Sequence, residues 1–295
     1  MNLILRPVRA EDKPRVLEFT AHTWGEDDSD YIKDVFDDWL ADRKGQFVAV
    51  ELDGQVAAIA KLTDLGEGEL WLEGLRVDPA HRQKGIGEAL HAYNVELARS
   101  YGGRVLRYAT GQDNIASQTL GARSGFRHIS SYRWHMAEAL TDFTPPDRLT
   151  QADWPALRAW LDSPLLRSAR GLYPRLWKWG ALSESRLSRH LDAGRVFGLR
   201  GEGGLHAWSI GEVIEDWEEA QMHHLDGSDL ASMVELARSM RRLAADAGRA
   251  KIEMAALDPS PVIDALREAG YRSEDFRMWL LELPLADEGR RTKDE

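Results

Sequence analysis

The sequence predicts an α/β protein made of two similar domains in tandem. The same order of predicted strands and helices occurs twice along the 295 residues. Each copy ends with a glycine-aromatic pair, Gly125-Phe126 and then Gly270-Tyr271, followed by a β-rich run. Between the copies, Pro145-Pro146 interrupts periodic structure. The predicted bounds are 1–143 for the first domain, 147–286 for the second and 287–295 for a charged tail that we expect to be disordered.

A hairpin opens the predicted sheet of the first half. Asp53-Gly54 is a strong turn signal, and apolar strand-like runs flank it on both sides. The helix after the third strand has apolar residues at the spacing of one helix face, and Gly102-Gly103 ends it. In order, we predict strands at 46–52, 55–62 and 69–77, a helix at 85–101, a strand at 104–110 and a helix at 115–124.

The second half repeats this order. A glycine-rich turn separates its first two strands, and its long helix has an apolar face that contains Met233, Leu236, Met240 and Leu243. In order, we predict strands at 195–200, 205–213 and 220–225, a helix at 229–247, a strand at 250–257 and a helix at 261–268. Several tryptophans in this half predict an aromatic-rich core, with an aromatic acceptor pocket as the alternative. They are Trp154, Trp160, Trp177 and Trp179.

Composition narrows the class of protein. Apolar residues make up 43% and charged residues 29% of the chain, as in globular proteins. The formal net charge of −11 disfavours nucleic-acid binding, which needs a basic face. The same charge fits a cationic substrate, although an acidic surface often serves only solubility. The chain contains no cysteine, so disulfides, thiolate catalysis and Cys-ligated metals are excluded.

Membrane and metal sites are not expected either. No apolar run approaches membrane length, and the apolar start at residues 1–5 is too short for a signal sequence, so we expect a cytoplasmic protein with no membrane partner. His223-His224 would point to opposite faces of a strand, which argues against a shared metal.

The stretch 75–87, L-R-V-D-P-A-H-R-Q-K-G-I-G, joins a strand to a helix through a glycine-bearing turn. Such a turn leaves backbone N–H groups exposed at a helix N-terminus, where the helix dipole also favours an anion. The stretch contains neither of the two common phosphate-loop motifs. A glycine-rich turn without a ligand is the alternative interpretation.

The run Arg82-x-x-Gly85-x-Gly87, five residues after Val77 of an L-x-V strand, resembles the pyrophosphate loop of GNAT-family N-acetyltransferases. That resemblance implies an acetyl-CoA-dependent transfer to a primary amine of a small molecule or amino acid. It also implies that each domain is a mixed, mostly antiparallel sheet flanked by helices, with a splayed central strand pair. In the family, loop amides hold the pyrophosphate, and the splayed strand pairs with the pantetheine arm and the acetyl oxygen. Carried over, the CoA-binding residues are Leu75, Arg76, Val77, Arg82, Gln83, Lys84, Gly85, Ile86, Gly87, Asn114 and Ser117.

The resemblance also suggests a catalytic base and an acid. Glu73 lies four residues before Val77, where several relatives carry a carboxylate proposed to accept the amine proton. The alternative is that Glu73 is an ordinary solvent-exposed glutamate at a strand edge. Glu69, on the same predicted strand, is a weaker candidate for the base. Gly121 stands where the family often has the tyrosine that acts as acid. Tyr108 or Ser117 could replace that tyrosine, the thiolate could leave unaided, or the domain could bind CoA without turnover.

The acceptor region is expected near the first two helices. Trp24, Asp30 and Tyr31 combine carboxylate and aromatic side chains, which suits a cationic amine, and the region loosely resembles acetyltransferases that act on free amino acids. A solvated acidic loop is the alternative for most of the aspartates there. Asn114 could equally be a helix N-cap.

The second half lacks the loop. The corresponding residues, 224–229, contain one glycine, no arginine and two carboxylates that would repel a pyrophosphate. We therefore predict that the second domain is degenerate. The alternatives to an enzyme are a CoA-sensing protein without turnover and an interaction protein that recruits a partner through its second half, and either a monomer or a homodimer is compatible with the sequence.

Overall fold

The computed structural model describes residues 2–21, 23, 30–215 and 217–285. Their contacts define two compact units. The first takes the described residues within Met1–Thr110, Asn114–His128 and Leu281–Glu295, and the second takes those within Gly111–Asp113 and Ile129–Leu280. The domain bounds 1–143 and 147–286 stay a prediction, and the predicted charged tail, 287–295, lies outside the described residues.

The first unit is a sheet flanked by helices. Its strands are β1 (Leu3–Pro7), β2 (Gln46–Leu52), β3 (Gln55–Gly66), β4 (Glu69–Val77) and β5 (Val105–Gly111). Its helices are α1 (Lys13–Thr20), α2 (Ile32–Ala41), α3 (Ile86–Ser100) and α4 (Ile115–Arg123). The strands lie in the order β1-β2-β3-β4-β5, and all neighbours are antiparallel except the parallel pair β4–β5.

The core of the first unit has a layer on each face of this sheet. Phe36 and Trp39 of α2 pack on one face with Ile59, while Ile86 and Leu90 of α3 pack on the other face. Successive strand residues point to opposite faces, so the strands are apolar almost throughout. The predicted hairpin is confirmed: Asp53 and Gly54 both have positive φ, 49° and 90°, as a tight hairpin turn requires.

Strand β4 separates from β5 partway along its length. The parallel pairing covers Glu69–Trp71 and ends at Trp71 opposite Arg107. On its other edge β4 carries a bulge, because Glu73 pairs with Lys61 and Arg76 pairs with Ile59, which leaves one extra residue on β4. Gly74 in the bulge has φ 64°, and a Cβ there would overlap the ring of Trp39. The predicted splayed strand pair is therefore present.

The last described residues of the chain belong to the first unit. Leu285 N donates to Arg104 O at 3.0 Å. Arg107 is buried and donates to Glu69 at 2.5 Å and to Glu282 at 2.7 Å. A buried guanidinium between two carboxylates fixes the chain end to β5, because removing one partner would leave an uncompensated buried charge.

The second unit repeats the architecture. Its strands are β6 (Arg127–Glu138), β7 (Asp147–Arg148), β8 (Leu172–Arg175), β9 (Lys178–Ala181), β10 (Val196–Gly201), β11 (Gly204–Val213), β12 (Glu219–Gly227), β13 (Lys251–Leu257) and β14 (Arg272–Pro284). Its helices are α5 (Trp154–Trp160), α6 (Pro164–Ser168), α7 (Glu184–Asp192), α8 (Leu230–Asp246) and α9 (Pro261–Glu268). Residues 127–128 of β6 and residues 281–284 of β14 belong to the first unit.

The sheet of the second unit has the order β6-β13-β12-β11-β10-β7, with β12 and β13 parallel and the other neighbours antiparallel. Met233, Leu236 and Met240 of α8 are buried against it, as the periodicity predicted, while Leu243 is only partly buried. Trp179 is buried, but Trp177 is 46% exposed and stacks on Trp134, so the predicted tryptophan core is only partly correct. Within the described residues, every helix is too short or too polar to cross a membrane.

Candidate functional site

The turn between β4 and α3 presents an open helix N-terminus. Gly85, with φ 74°, occupies the N-cap position of α3 and supplies no side-chain cap. The backbone N–H groups of residues 83–87 donate no hydrogen bond within the described part of the chain. A Cβ at Gly85 would have no atom within 4 Å, and one at Gly87 would meet only Val77 at 3.5 Å. The amides therefore face open space, as anion binding at a helix N-terminus requires.

The base of this turn is held in place by a buried carboxylate. Asp78 is 5% exposed, its Oδ1 accepts from Ala80 N at 2.9 Å, and its Oδ2 pairs with Arg15. Its own N–H donates to Ala57 O at 2.9 Å. Because both ends of Asp78 are anchored, the exposed residues that follow leave the strand in a fixed direction.

Two cations lie beside the open amides. Lys84 Nζ donates to Ala80 O at 3.1 Å, and Arg82 Nε donates to Val77 O at 3.4 Å; both side chains are exposed. Gln83 has φ 60°, a left-handed conformation that turns the chain toward Gly85. Ile86 is buried in the core, so only its backbone N–H can serve a ligand. The turn thus combines amides, the helix dipole and positive charge, which together favour a pyrophosphate.

The strand before the turn borders the opening between β4 and β5. The pairing of β4 with β5 stops before Leu75, Arg76 and Val77, so their edge on that side faces the opening. The Arg76 guanidinium donates to Leu75 O at 3.1 Å, which engages one of these carbonyls. The backbone of these three residues borders the opening, with the Leu75 carbonyl already partly used, and their role toward the pantetheine arm and the acetyl oxygen stays a prediction.

Glu73 lies next to the bulge at the edge of the opening. Thr63 Oγ1 of β3 donates to Glu73 Oε1 at 2.6 Å. A short hydrogen bond to a carboxylate fixes its orientation. Glu69, the weaker candidate for the base, is buried and paired with Arg107, so its charge is already balanced.

Tyr108 fills the space that Gly121 leaves. The Tyr108 hydroxyl donates to Ser117 O of α4 at 2.9 Å, and a Cβ at Gly121 would overlap that hydroxyl. Burial raises the pKa of Tyr108 to about 12, so the phenol keeps its proton at neutral pH. A protonated phenol thus lies over α4 beside the position where the family often carries its tyrosine.

Asn114 acts as the N-cap of α4. Its Oδ1 accepts from Ser117 N at 3.1 Å, which confirms the N-cap interpretation. Contact of Asn114 or Ser117 with the pantetheine arm stays a prediction.

The acceptor residues form a small charged and aromatic cluster. Asp30 is 3% exposed and accepts from Arg76 at 2.6 and 3.2 Å, so its charge is balanced. Tyr31 is 41% exposed, and its ring lies 5.4 Å from the Arg76 guanidinium and 6.0 Å from the ring of Trp39. Trp24 lies outside the described residues.

The second unit closes the equivalent helix end. Asp229 is the N-cap of α8, and its Oδ1 accepts from Ser232 N at 2.8 Å. Gly227 is packed, since a Cβ there would lie 2.7 Å from Met233 and 3.2 Å from Ala207. Because a carboxylate of the chain itself occupies the anion position, this helix end does not offer a pyrophosphate site.

Sequence reasoning missed Thr63, whose distance from Glu73 along the chain gives no local signal, and the Gly74 bulge, for which a glycine inside a strand run was a usable signal. In the described residues no group of three or more His, Asp or Glu side chains is placed to hold a metal ion.

The profile of the acetyltransferase (GNAT) family matches residues 13–126. Among curated protein sequences, none matches the chain. Several solved structures share the fold over nearly its whole length. A GNAT-type N-acetyltransferase from Sphaerobacter thermophilus is 16% identical, with 95% of this chain and 95% of that chain covered and a TM-score of 0.66.

A tandem GNAT protein from the clavulanic acid biosynthesis pathway is 18% identical, with 96% of this chain and 98% of that chain covered and a TM-score of 0.59. A glucosamine N-acetyltransferase region of a fungal multi-domain β-N-acetylglucosaminidase is 14% identical, with 95% of this chain and 38% of that chain covered and a TM-score of 0.67. At these identities the comparisons establish the fold, and they confirm the predicted class of two GNAT-like domains in tandem.

Proposed function

Residues 13–126 are a GNAT-family acetyltransferase domain, and from that premise we propose that the chain transfers an acetyl group from acetyl-CoA to a primary amine of a small molecule or amino acid. The observation that carries the proposal is the open N-terminus of α3 directly after the splayed end of β4. The first supplies a site for phosphates and the second an edge for an extended arm, and both belong to the first unit.

Three kinds of group carry out the transfer: the Glu73 carboxylate, backbone N–H groups of β4 and the Tyr108 phenol. Glu73 accepts a proton from the ammonium of the acceptor, directly or through water, and Thr63 holds its carboxylate in one orientation. The amine nitrogen then forms a bond to the thioester carbonyl carbon, and backbone N–H groups at the β4 edge stabilise the charge that develops on the oxygen. The carbon–sulfur bond then breaks while the nitrogen gives its second proton to water. Tyr108 gives its phenolic proton to the departing thiolate and recovers a proton from water.

The acceptor side is suited to a cation. Glu73 supplies a carboxylate next to the opening, which would attract the ammonium of the acceptor. The Arg76 guanidinium already lies 5.4 Å from the centre of the Tyr31 ring, so this partly exposed ring offers the acceptor an apolar contact and not a site for its charge. The Asp30–Arg76 pair orients Arg76 beside the Tyr31 ring. Free amino acids, glucosamine and polyamines all present a primary amine that this arrangement could hold.

Calorimetric titration of acetyl-CoA into the full chain tests the binding step. We expect saturable binding at one site per chain, a modest loss of affinity in Gly85→Ala, and no binding in Gly85→Glu. The two substitutions share the backbone strain of a positive φ, so the difference between them measures the charge placed at the amides. An absence of binding to the unaltered chain would contradict the proposal.

A thiol-release assay over a panel of amino acids, amino sugars and polyamines tests the transfer. Glu73→Gln should abolish release and leave acetyl-CoA affinity unchanged. Glu96→Gln, at an exposed position of α3, is the matched control and should leave both unchanged.

A second candidate function is a CoA-sensing protein without turnover. Gly121 favours it, because the usual tyrosine is absent from α4. Saturable binding of acetyl-CoA without thiol release for any amine in the panel would support that function over the enzyme.

A further inference from the structure

Two arginines of the second unit share one buried carboxylate, that of Glu212 on β11. Glu212 Oε1 accepts from Arg175 Nη2 at 2.9 Å and lies 2.8 Å from Arg195 Nη2. Glu212 Oε2 accepts from Arg175 Nε at 3.0 Å. Because both guanidiniums contact the same oxygen, one further small anion can reach both of them.

This cluster carries an excess of positive charge. Burial alone would raise the pKa of Glu212, but hydrogen bonds from His223 and Arg175 and the charges of the two arginines lower it to about 2, so the carboxylate stays ionised. His223 Nε2 lies 3.4 Å from Glu212 Oε2, and burial lowers the pKa of His223, so that ring is neutral at physiological pH. Two guanidiniums and one carboxylate therefore sum to one positive charge, in a chain whose formal net charge is −11.

A guanidinium offers five N–H donors, and this pair leaves several of them without an acceptor. Arg175 uses its Nε and one Nη toward Glu212, and Arg195 uses one Nη. The other N–H groups of the two side chains have no acceptor among the described residues. The side chains of Arg175 and Arg195 are 38% and 35% exposed, against 8% for Glu212, so their unused edges lie toward solvent.

Backbone contacts hold both arginines in place before any ligand arrives. Arg175 ends β8, where its pairing with Lys178 closes the β8–β9 hairpin. Arg195 directly precedes β10; its N–H donates to His190 O at 2.9 Å, and its carbonyl accepts from Gly211 N at 2.9 Å. The fixed backbones and the shared carboxylate limit the conformations of the two guanidiniums, which reduces the entropy lost when an anion binds.

A second pair of arginines in the same unit provides a comparison. Arg133 and Arg277 share the carboxylate of Asp258, at 3.2 and 3.0 Å. Arg133 also donates to Glu274 O at 3.5 Å. Arg277 also donates to Asp258 O at 3.3 Å. The pair on Glu212 makes no such contact with a carbonyl in the described part of the chain, so it keeps more donors for an external acceptor.

We propose that Arg175 and Arg195 form a binding site for a monocarboxylate on the solvent side of Glu212. The planar carboxylate of the ligand accepts N–H groups from both guanidiniums, whose forked edges match two oxygens in one plane. One negative charge balances the excess positive charge of the cluster, whereas a dianion would bring an uncompensated charge close to Glu212. The site is independent of acetyl transfer by the first unit.

Acetate is the probe, titrated into the full chain at constant ionic strength and followed by saturation-transfer NMR of its methyl group. We expect saturable binding that saturating acetyl-CoA does not displace. Acetamide has the same shape without the charge, and we expect no saturable binding of it, because charge-assisted hydrogen bonds hold the ligand. Inorganic phosphate should bind more weakly than acetate.

Arg195→Gln should weaken acetate binding at least about tenfold, the effect of losing hydrogen bonds between charged groups, and Arg175→Gln should do the same. In Arg195→Gln the buried carboxylate keeps one guanidinium, so we expect a folded protein, which melting curves check. Arg277→Gln is the matched control, because Arg277 is 33% exposed and also shares a carboxylate with a second arginine. It should leave acetate affinity unchanged.

Failure of acetate to saturate, or equal binding of acetamide, would overturn the proposal. An unchanged acetate affinity in both Arg195→Gln and Arg175→Gln, or an equal loss in Arg277→Gln, would also overturn it. Displacement by acetyl-CoA would mean that acetate occupies the first unit, and tighter binding of phosphate would refute a site for a monocarboxylate.

Discussion

Replacing Gly121 by alanine tests whether the Tyr108 hydroxyl requires the space that this glycine leaves in α4. An alanine in a helix interior is favoured over glycine by about 1 kcal/mol. Here the added Cβ would overlap the Tyr108 hydroxyl and lie 3.0 Å from ring carbon Cζ. Overpacking of a buried site costs about 1–3 kcal/mol. In the unaltered background we therefore expect Gly121→Ala to lower the free energy of unfolding by about 0–2 kcal/mol.

The same substitution should act differently once the hydroxyl is removed. Tyr108→Phe alone loses the hydrogen bond to Ser117 O, which costs about 1 kcal/mol. In that background most of the overlap is relieved, so Gly121→Ala should be neutral or stabilising. Urea unfolding of the four proteins measures the coupling, which we expect to be about 1–2 kcal/mol. If Gly121→Ala has the same effect in both backgrounds to within about 0.5 kcal/mol, the two positions do not share this space and the reasoning is refuted.

Other predictions follow from single contacts. Thr63→Val should lower kcat about tenfold in the thiol-release assay with KM for acetyl-CoA unchanged, since it removes a hydrogen bond that orients the Glu73 carboxylate; an unchanged kcat would contradict the positioning role. Arg107→Met should lower the free energy of unfolding in urea by about 3 kcal/mol, because the buried Glu69 and the half-buried Glu282 both lose their cation. A change below about 1 kcal/mol would be inconsistent with a buried charge at Glu69. Burial raises the pKa of Asp226 from 3.8 to about 6, so between these values the folded chain keeps a proton that the unfolded chain has lost. Stability should therefore fall as pH rises from about 4 to 6. Melting curves of Asp226→Asn should lack this fall, and a pH profile identical to that of the unaltered chain would contradict the prediction. Asp229→Gly should lower the free energy of unfolding by only a few tenths of a kcal/mol. It should not add a second acetyl-CoA site in calorimetry, because Gly227 stays packed against Met233 and residues 224–229 contain no arginine; a second site would show that the cap alone excludes CoA.

The elements that the sequence predicted well are those with local signals. Asp53-Gly54 formed the expected hairpin because few residue pairs adopt two left-handed conformations readily. Strand β4 and helix α9 have the predicted bounds, and α3 and α8 are one residue shorter at each end. Apolar periodicity and glycine or proline at the ends are properties of neighbouring residues, so they can be read without knowing the rest of the fold.

Features that depend on distant or atypical residues were not predicted. Arg107 and Glu282 lie 175 positions apart, and nothing near either residue indicates the pairing that places the chain end in the first unit. The β8–β9 hairpin turns through Leu176 and Trp177, with φ of 51° and 67°. Neither is a typical turn residue, so turn chemistry gave no indication of this hairpin.

The candidate site was predicted in outline, and the structure changes what several side chains can do. Asp30 was expected to meet a cationic substrate, but a carboxylate next to a guanidinium is stabilised in place, so it orients Arg76. Gly121 departs from the family pattern, and the structure gives the reason: the Tyr108 hydroxyl occupies the space where a side chain at residue 121 would lie. Both differences arise because a sequence motif gives residue identity without the partner that each side chain meets.

The two units differ at the helix end that a phosphate-bearing ligand would meet. Both present a long helix after a strand that separates from its parallel neighbour. In the first, a glycine in open space leaves the amides unpaired, which forgoes the stabilisation of a cap. In the second, Asp229 makes that cap and satisfies an amide that a phosphate would otherwise bind. Because the same N–H groups cannot serve both partners, gain of the cap entails loss of the anion site.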